Sequence, residues 1–258
     1  MRQDMANRER LQIIYQRSLR ALQDVVRELG ITEDELKTAG RYFNRLGQSG
    51  MFPSLMAVGF AMTSIDAARN AASGTRPNLE GPYYTPGAPL REDGVLYEHA
   101  PGADAQLLML GGRVLDAAGG SPITGAELDF WQADENGKYD NEGFHLRGIL
   151  RSDAEGAYRL HTVVPRDYSD HDHDPVGELF SAMGRHSRRA AHIHLKARAS
   201  GYAALTTQVF VPWSGHLADD YVEGAVTPDL TLSLEERPRG GGLPTFAATF
   251  DIRLERRP

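Results

Sequence analysis

A chain of 258 residues is long enough for one sizeable domain, or for a core domain with a smaller partner. Its apolar share of 41% and charged share of 24% are those of an ordinary globular protein, and no apolar run is long enough to cross a bilayer, which argues against membrane insertion. The net charge of −7, without a sustained Lys/Arg stripe, argues against nucleic acid and anionic membrane as partners. Cysteine is absent, so disulfides and thiolate metal sites are excluded, and any metal must sit on His, Asp, Glu or Tyr. The N-terminal MRQDMANRERL has charge with no apolar segment after it, so a cytoplasmic location is expected.

The first 75 or so residues read as helical. Tyr15, Leu19, Leu22, Val26 and Leu29 recur at helical spacing, and Gly30 stands where a C-terminal cap belongs. Thr32 followed by Glu35 is a capping-box start for a second helix, which carries Leu36, Tyr42, Phe43 and Leu46 up to Gly47. A third candidate runs from Phe52 to Ala72, with Pro53 in its first turn. Three small helices cannot close a large core, so their apolar faces must dock on a partner subunit or on the rest of the chain.

After the connector GTRPN (74–78) the periodicity changes from 3.6 to 2. Residues 106–115, 126–133, 156–164, 191–199, 205–211 and 245–254 are short β-rich runs between Gly, Pro, Asp and Asn turns. In the last of these, Phe246, Ala248, Phe250, Ile252 and Leu254 alternate with polar or small residues, as in a half-buried strand. The pattern points to an antiparallel β-sandwich or barrel.

The sharpest chemical signal is Ala191-His192-Ile193-His194-Leu195. On a strand, His192 and His194 share one face, with Cβ atoms roughly 6–7 Å apart, a span that one metal ion bridges. The competing reading is a polar pair on a solvated face. No Glu follows at cupin spacing and no HExxH occurs, which disfavours a cupin or zinc-hydrolase site, although acids in 167–174 could supply a ligand. The remaining donors are Tyr139 and Tyr168, each at a strand end. Taken singly, each reads more readily as a core or loop aromatic. A free phenol, with a pKa near ~10, binds only a strongly Lewis-acidic, hard cation at neutral pH. Two phenolates with two neutral imidazoles would therefore select iron(III) over zinc or iron(II).

Four segments, in order, resemble the intradiol ring-cleaving dioxygenases, in the branch of catechol, chlorocatechol and hydroxyquinol 1,2-dioxygenases. They are LEGPYYTPGAP (79–89), GRVLDAAGGSPITGAELDFWQADENGKYD (112–140), LRGILRSDAEGAYRLHTVVPRDY (146–168) and GRHSRRAAHIHLKARASGYAALTTQ (184–208). The resemblance implies a mainly β fold: an antiparallel β-sandwich catalytic domain over 79–258 and a helical dimerisation and linker segment over 1–78, giving a homodimer. It implies one Fe(III) per chain on Tyr139, Tyr168, His192 and His194, with Tyr139 and His192 equatorial and Tyr168 and His194 axial. Tyr168 would leave the metal and accept a substrate proton, Arg189 would stabilise charge on the ring, and Gln208 would support the site from behind. Leu79, Pro82, Tyr83, Tyr221 and Val222 would line the pocket. The implied reaction joins an aromatic diol with O2 to give a cis,cis-muconate-type diacid.

The chain departs from the family's usual pattern in three places. Ala190 stands where Pro is common, the interval from Tyr139 to the LRG motif is short, and Tyr168 is followed by the polar SDHDHD (169–174). That run reads as a solvated loop, with His171 and His173 as outside candidates to extend the metal chemistry. WQAD and PVGELFSAMGRH lean toward hydroxyquinol enzymes, whereas GPYY, TTQ and VTPDL lean toward catechol or chlorocatechol enzymes. Residues 112–165 also resemble non-catalytic transthyretin-like β-sandwich binding modules, and this alternative is separated from the enzyme by the two histidines, the two tyrosines and Arg189.

Overall fold

The computed structural model describes residues 2–69, 73–169, 171–237 and 245–257, with side chains from residue 7 onward. The chain divides into two compact units, Met1–Phe52 and Pro53–Pro258.

The first unit holds α1 (Arg2–Leu29) and α2 (Glu33–Gln48). Gly30 ends α1 at φ +62°, a conformation that costs glycine little, and the Ile31 N–H closes back on Val26 O at 3.0 Å. The capping box at Thr32 forms as expected: the Glu35 N–H donates to Thr32 Oγ1, and the Thr32 N–H to Glu35 Oε2 at 2.8 Å. α2 runs through Gly47 to Gln48, slightly beyond its expected stop. On α1, Leu11, Tyr15, Leu22 and Leu29 are each about two-thirds exposed (64–69%), a helical stripe of apolar surface.

All of α3 (Phe52–Ala68) after its first residue belongs to the second unit, and its Val58 and Met62 are buried. It is shorter than expected, and the rest of the expected helix, residues 70–72, lies outside the described residues. Then come β1 (Leu107–Asp116), β2 (Glu127–Gln132), β3 (Arg147–Arg151), β4 (Ala157–Val163), β5 (Tyr168–Ser169), α4 (Pro175–Ala182), β6 (Arg188–Arg189), β7 (His192–Arg198), β8 (Leu205–Phe210), β9 (Glu235–Arg237), β10 (Thr245–Thr249) and β11 (Ile252–Leu254).

Two sheets face each other across the core. One has the order β3-β2-β7-β8, antiparallel throughout. In the other, β1 pairs antiparallel with β4 on one side and parallel with β10 and then β11 on the other. The sandwich is thus as expected, but its antiparallel character fails along this edge of β1. A whole second sheet is built between Asp116 and Thr245, so the chain returns beside β1 in the same direction, as crossover connections allow. The break at Phe250 and Asp251 splits the expected single strand 245–254 in two. Leu108, Leu110, Val114, Leu128, Phe130, Leu160, Ile193, Leu195 and Val209 fill the space between the sheets.

α4 was not anticipated, although its signals are in the sequence. Asp174 caps it by accepting the Val176 and Gly177 N–H groups, and Pro175 occupies the first turn. Among the described residues no single helix is long and apolar enough to cross a membrane.

Asp116 locks the end of β1. One oxygen accepts the N–H groups of Ala118 and Gly119, and the other accepts from the Tyr202 hydroxyl and Arg256 Nε at 3.0 and 2.8 Å. These bonds, the Gly119 N–H first among them, hold its pKa down at about 2. A depressed carboxylate adds stability above its unfolded pKa, near ~3.9, and loses it as pH falls through the folded value. Asp116→Asn should therefore unfold more easily than the parent at neutral pH, and the gap in urea midpoints should close as pH drops from about 4 toward 2.

Candidate metal centre

The site lies on the face of the β3-β2-β7-β8 sheet away from the core. Alternation along β7 puts Ile193 and Leu195 into the sandwich and His192 and His194 on the opposite face, opposite Phe210 and Gln208 of β8. Both imidazoles are buried, and their Nε2 atoms lie 3.0 Å apart. Nδ1 of His192 is 2.6 Å from Ala190 O. A carbonyl only accepts, so the proton sits on Nδ1 and the Nε2 lone pair is left free. The His194 ring stacks on Trp131, centroids 4.6 Å apart at 6°, with its Nδ1 buried and without a hydrogen-bond partner among the described residues. Gly81, at φ +72°, lies close to the ring, where a Cβ would come within 3.3 Å of Cε1 and 3.8 Å of Nε2. Burial first, then the nearby cation of Arg189, pushes His192 well below the ordinary imidazole pKa. For His194, burial comes first, followed by His192, Arg189 and Arg147. Both rings are therefore neutral donors at physiological pH.

Tyr139 arrives on a turn built by Asp134, whose carboxylate accepts the N–H groups of Asn136 and Lys138 while Gly137 takes φ +78°. Its Oη stands 3.1 Å from His194 Nε2. Behind it, Asp140 accepts the N–H groups of Glu142, Gly143 and His145 and so orders the next loop. Arg147, buried on β3, donates to Asp140 O and, at 2.6 Å, to Tyr83 O, with its guanidinium carbon 5.9 Å from the centre of the Tyr139 ring. The Tyr83 ring stacks on Tyr139, centroids 4.2 Å apart at 13°.

Tyr168 comes from the other side, on β5, with its backbone paired to Arg189 of β6. Its ring centroid lies 5.3 Å from that of Tyr139 and 5.7 Å from that of His192. The two tyrosine segments touch at Gly137, where an added Cβ would meet Asp167 O at 2.8 Å and Tyr168 Cβ at 3.1 Å. Asp167 accepts from the Ala191 N–H, the Ser214 hydroxyl and the His216 N–H, and so joins the Tyr168 segment to the start of β7.

Arg189 and Gln208 form one chain. Arg189 Nη2 donates to Gln208 Oε1 and Gln208 Nε2 to Leu79 O, both at 2.8 Å. Burial opposes the charge on Arg189, but the Asp220 carboxylate 3.0 Å away more than offsets this and raises its pKa above the ordinary guanidinium value.

The structure thus gathers Tyr139, Tyr168, His192, His194, Arg189, Gln208, Leu79 and Tyr83 around one centre. Tyr221 and Val222 are buried beside Arg189, with the Tyr221 N–H on Arg188 O, whereas Pro82 is exposed on its loop. His171 corrects the solvated-loop expectation. It is buried, its Nδ1 is 2.5 Å from the Asp174 carboxylate, and its ring packs edge-on to Tyr221. His173 is exposed, and Asp170 of the same run lies outside the described residues. Trp131, Arg147, Asp167 and Asp220 also build the site, and no local sequence pattern marks them for it. The buried arginines called for acidic or carbonyl partners, but nothing along the chain says which.

The donor set fits a metal ion. Two metal–imidazole bonds of ~2.1 Å at a right angle put their nitrogens about 3 Å apart, and the pairs His192–His194 and His194–Tyr139 are separated by 3.0 and 3.1 Å. A second cluster, His186, His216 and Asp219, also brings three possible ligand atoms together. There the Arg188 N–H donates to His186 Nδ1, so the proton sits on Nε2, facing Asp219 at 3.0 Å and His216 at 3.2 Å. A cation would need that lone pair, so this group closes instead as a hydrogen-bonded network.

A mixed β-sandwich with two imidazoles on one sheet face and two phenols brought beside them by neighbouring segments presents a set of metal-ligand donors, and comparison with known proteins places the chain in a family. The profile of a family described as Dioxygenase matches residues 79–256. A chlorocatechol 1,2-dioxygenase of a Pseudomonas species is 32% identical over 255 residues, covering 96% of this chain and 98% of its own. A 6-chlorohydroxyquinol 1,2-dioxygenase of Cupriavidus pinatubonensis is 36% identical over 221 residues, 81% of this chain and 79% of its own. The crystal structure of 3-chlorocatechol 1,2-dioxygenase from Rhodococcus opacus superposes with a TM-score of 0.88 at 29% identity, covering 96% and 99% of the two chains. The chain belongs to the intradiol ring-cleaving dioxygenase family.

Proposed function

We propose that this protein cleaves a catechol-type diol with O2 between its two hydroxyl-bearing carbons, using one ferric ion held by Tyr139, Tyr168, His192 and His194. The observation that carries the reading is the convergence of both Nε2 atoms and Tyr139 Oη to about 3 Å separations, the imidazoles buried and Tyr139 half-buried, with Tyr168 alongside. Both short separations involve His194. When bound, ferric iron supplies a Lewis-acidic, electron-accepting centre for a diol dianion and O2.

The protein's own groups do the rest. The two imidazoles are held neutral by burial and bring lone pairs without charge, so the phenolates supply the negative charge that favours a trivalent cation. Tyr168 accepts one of the diol's two protons at Oη as substrate enters. Arg189, held charged by Asp220, stabilises negative charge developing on the ring. Tyr83, Leu79, Tyr221 and Val222 bound the diol. Ring opening with uptake of both oxygen atoms gives a cis,cis-muconate-type diacid, and the curated relatives leave catechol, chlorocatechol and hydroxyquinol all as candidates.

The exposed stripe Leu11, Tyr15, Leu22 and Leu29 supports a homodimer through the helices of residues 1–78, because apolar surface of this kind is covered in a stable protein. Leu22→Glu should shift the light-scattering mass from dimer to monomer, and an unchanged mass would remove this stripe from the interface. Oxygen uptake measured side by side with catechol, 4-chlorocatechol and hydroxyquinol should show turnover of at least one. Tyr168→Phe should bleach or shift the visible band and slow turnover by about 100-fold or more. A variant with the parent's colour and rate would reject the role given to Tyr168.

A further inference from the structure

Arg189 is among the most deeply buried charges of the protein, with side-chain exposures of 4% for it and 3% for its partner Asp220. Its three guanidinium nitrogens are used differently. Nε donates to both Asp220 oxygens, at 3.0 and 3.1 Å, and Nη2 donates to Gln208 at 2.8 Å. Nη1 makes no hydrogen bond to any described residue. Asp220 is itself fixed by two backbone donors, the Ala190 N–H at 2.7 Å and the Val222 N–H at 2.8 Å. Ala190 is also the residue whose carbonyl takes the His192 Nδ1 proton.

One carboxylate therefore anchors both the arginine and the peptide segment that sets the His192 tautomer. Stability alone does not account for such a pair, because a buried ion pair often contributes no more than well-packed apolar side chains of the same volume. Its geometric consequence is specific: with Nε and one Nη2 hydrogen occupied by protein, the donors of Arg189 left to meet charge on a substrate are those of Nη1 and the second Nη2 hydrogen.

We propose that Asp220 is a positioning residue for ring cleavage, clamping Arg189 through Nε while Gln208 holds Nη2, so that the remaining Nη donors face the charge that develops on the bound diol. The proposal rests on the ring-cleavage reading above. Asp220 touches neither the diol nor the metal ligands' donor atoms and acts through Arg189.

The test is a double-mutant cycle of Asp220→Asn and Arg189→Ala, read by oxygen uptake with the diol that the parent turns over fastest, alongside iron content and the visible spectrum. Asp220→Asn should keep its iron and its visible band, with kcat lowered about 10- to 100-fold and KM within about 3-fold of the parent. In the Arg189→Ala background the same change should alter kcat by less than about 2-fold. Equal losses in both backgrounds, or lost iron with an unchanged rate per iron, would overturn the proposal. If Asp220→Asn fails to fold, Asp220→Glu, which keeps the charge on a longer arm, is put through the same cycle with the same expectation. If the parent consumes no oxygen with any diol, the ring-cleavage reading falls, and a crystal structure of the Asp220 variant still decides the clamp. Arg189 Nη2 displaced from Gln208 supports it, and an unmoved guanidinium refutes it.

Discussion

Two neutral imidazoles pressed to within 3.0 Å of each other, nitrogen to nitrogen, on a buried strand face are the constraint around which this protein is arranged. Burial of two such rings is costly unless their polar atoms are used. One nitrogen of His192 is used by Ala190, one of His194 has no partner among the described residues, and the remaining nitrogens lie about 3 Å from each other and from the Tyr139 hydroxyl. An arrangement so poor in internal hydrogen bonds fits the proposed cation, which would take those lone pairs. The same burial that would make the empty pocket unfavourable keeps the rings unprotonated and ready to bind.

Other parts of the second unit serve that arrangement. The sandwich core holds β7 by Ile193 and Leu195, so the register of the histidines cannot slip without exposing apolar side chains. Backbone turns deliver the tyrosines from two separate connections: the Asp134 turn brings Tyr139, and the β5–β6 pairing brings Tyr168 beside Arg189. Glycines at 81 and 137 permit the close approaches, one beside Cε1 of His194 and one between the two tyrosine segments. Buried ionic anchors then hold the loops, with Arg147 gripping the carbonyls of Tyr83 and Asp140, and Asp220 gripping Arg189. Charge is thereby placed next to the pocket without being exposed to water, where it would be screened.

Much of this was legible in the amino-acid order because the relevant signals are local. The Thr32–Glu35 capping box, the Gly30 stop and the His-Ile-His alternation each follow from a few neighbouring residues. The parts that escaped are those that depend on distant partners. Period-2 alternation marks a strand but not its neighbour's direction, so the parallel pairing of β1 with β10 and β11 had no local signature. Asp220 is one of 35 acidic residues, and nothing within a few positions of it says that it meets an arginine 31 residues away. His171 read as solvated because its sequence neighbours are charged, yet Asp174 and Tyr221 enclose it. The pairing of the tyrosines with the histidines was legible only through resemblance, since each tyrosine taken singly reads as an ordinary aromatic.

The most direct test of the central claim is anomalous diffraction at the iron absorption edge on crystals of the protein as purified. One strong peak per chain is expected, within bonding distance of Nε2 of His192 and His194 and Oη of Tyr139 and Tyr168. Absence of anomalous density at that point, or a peak seated instead on His186, His216 and Asp219, would contradict the account.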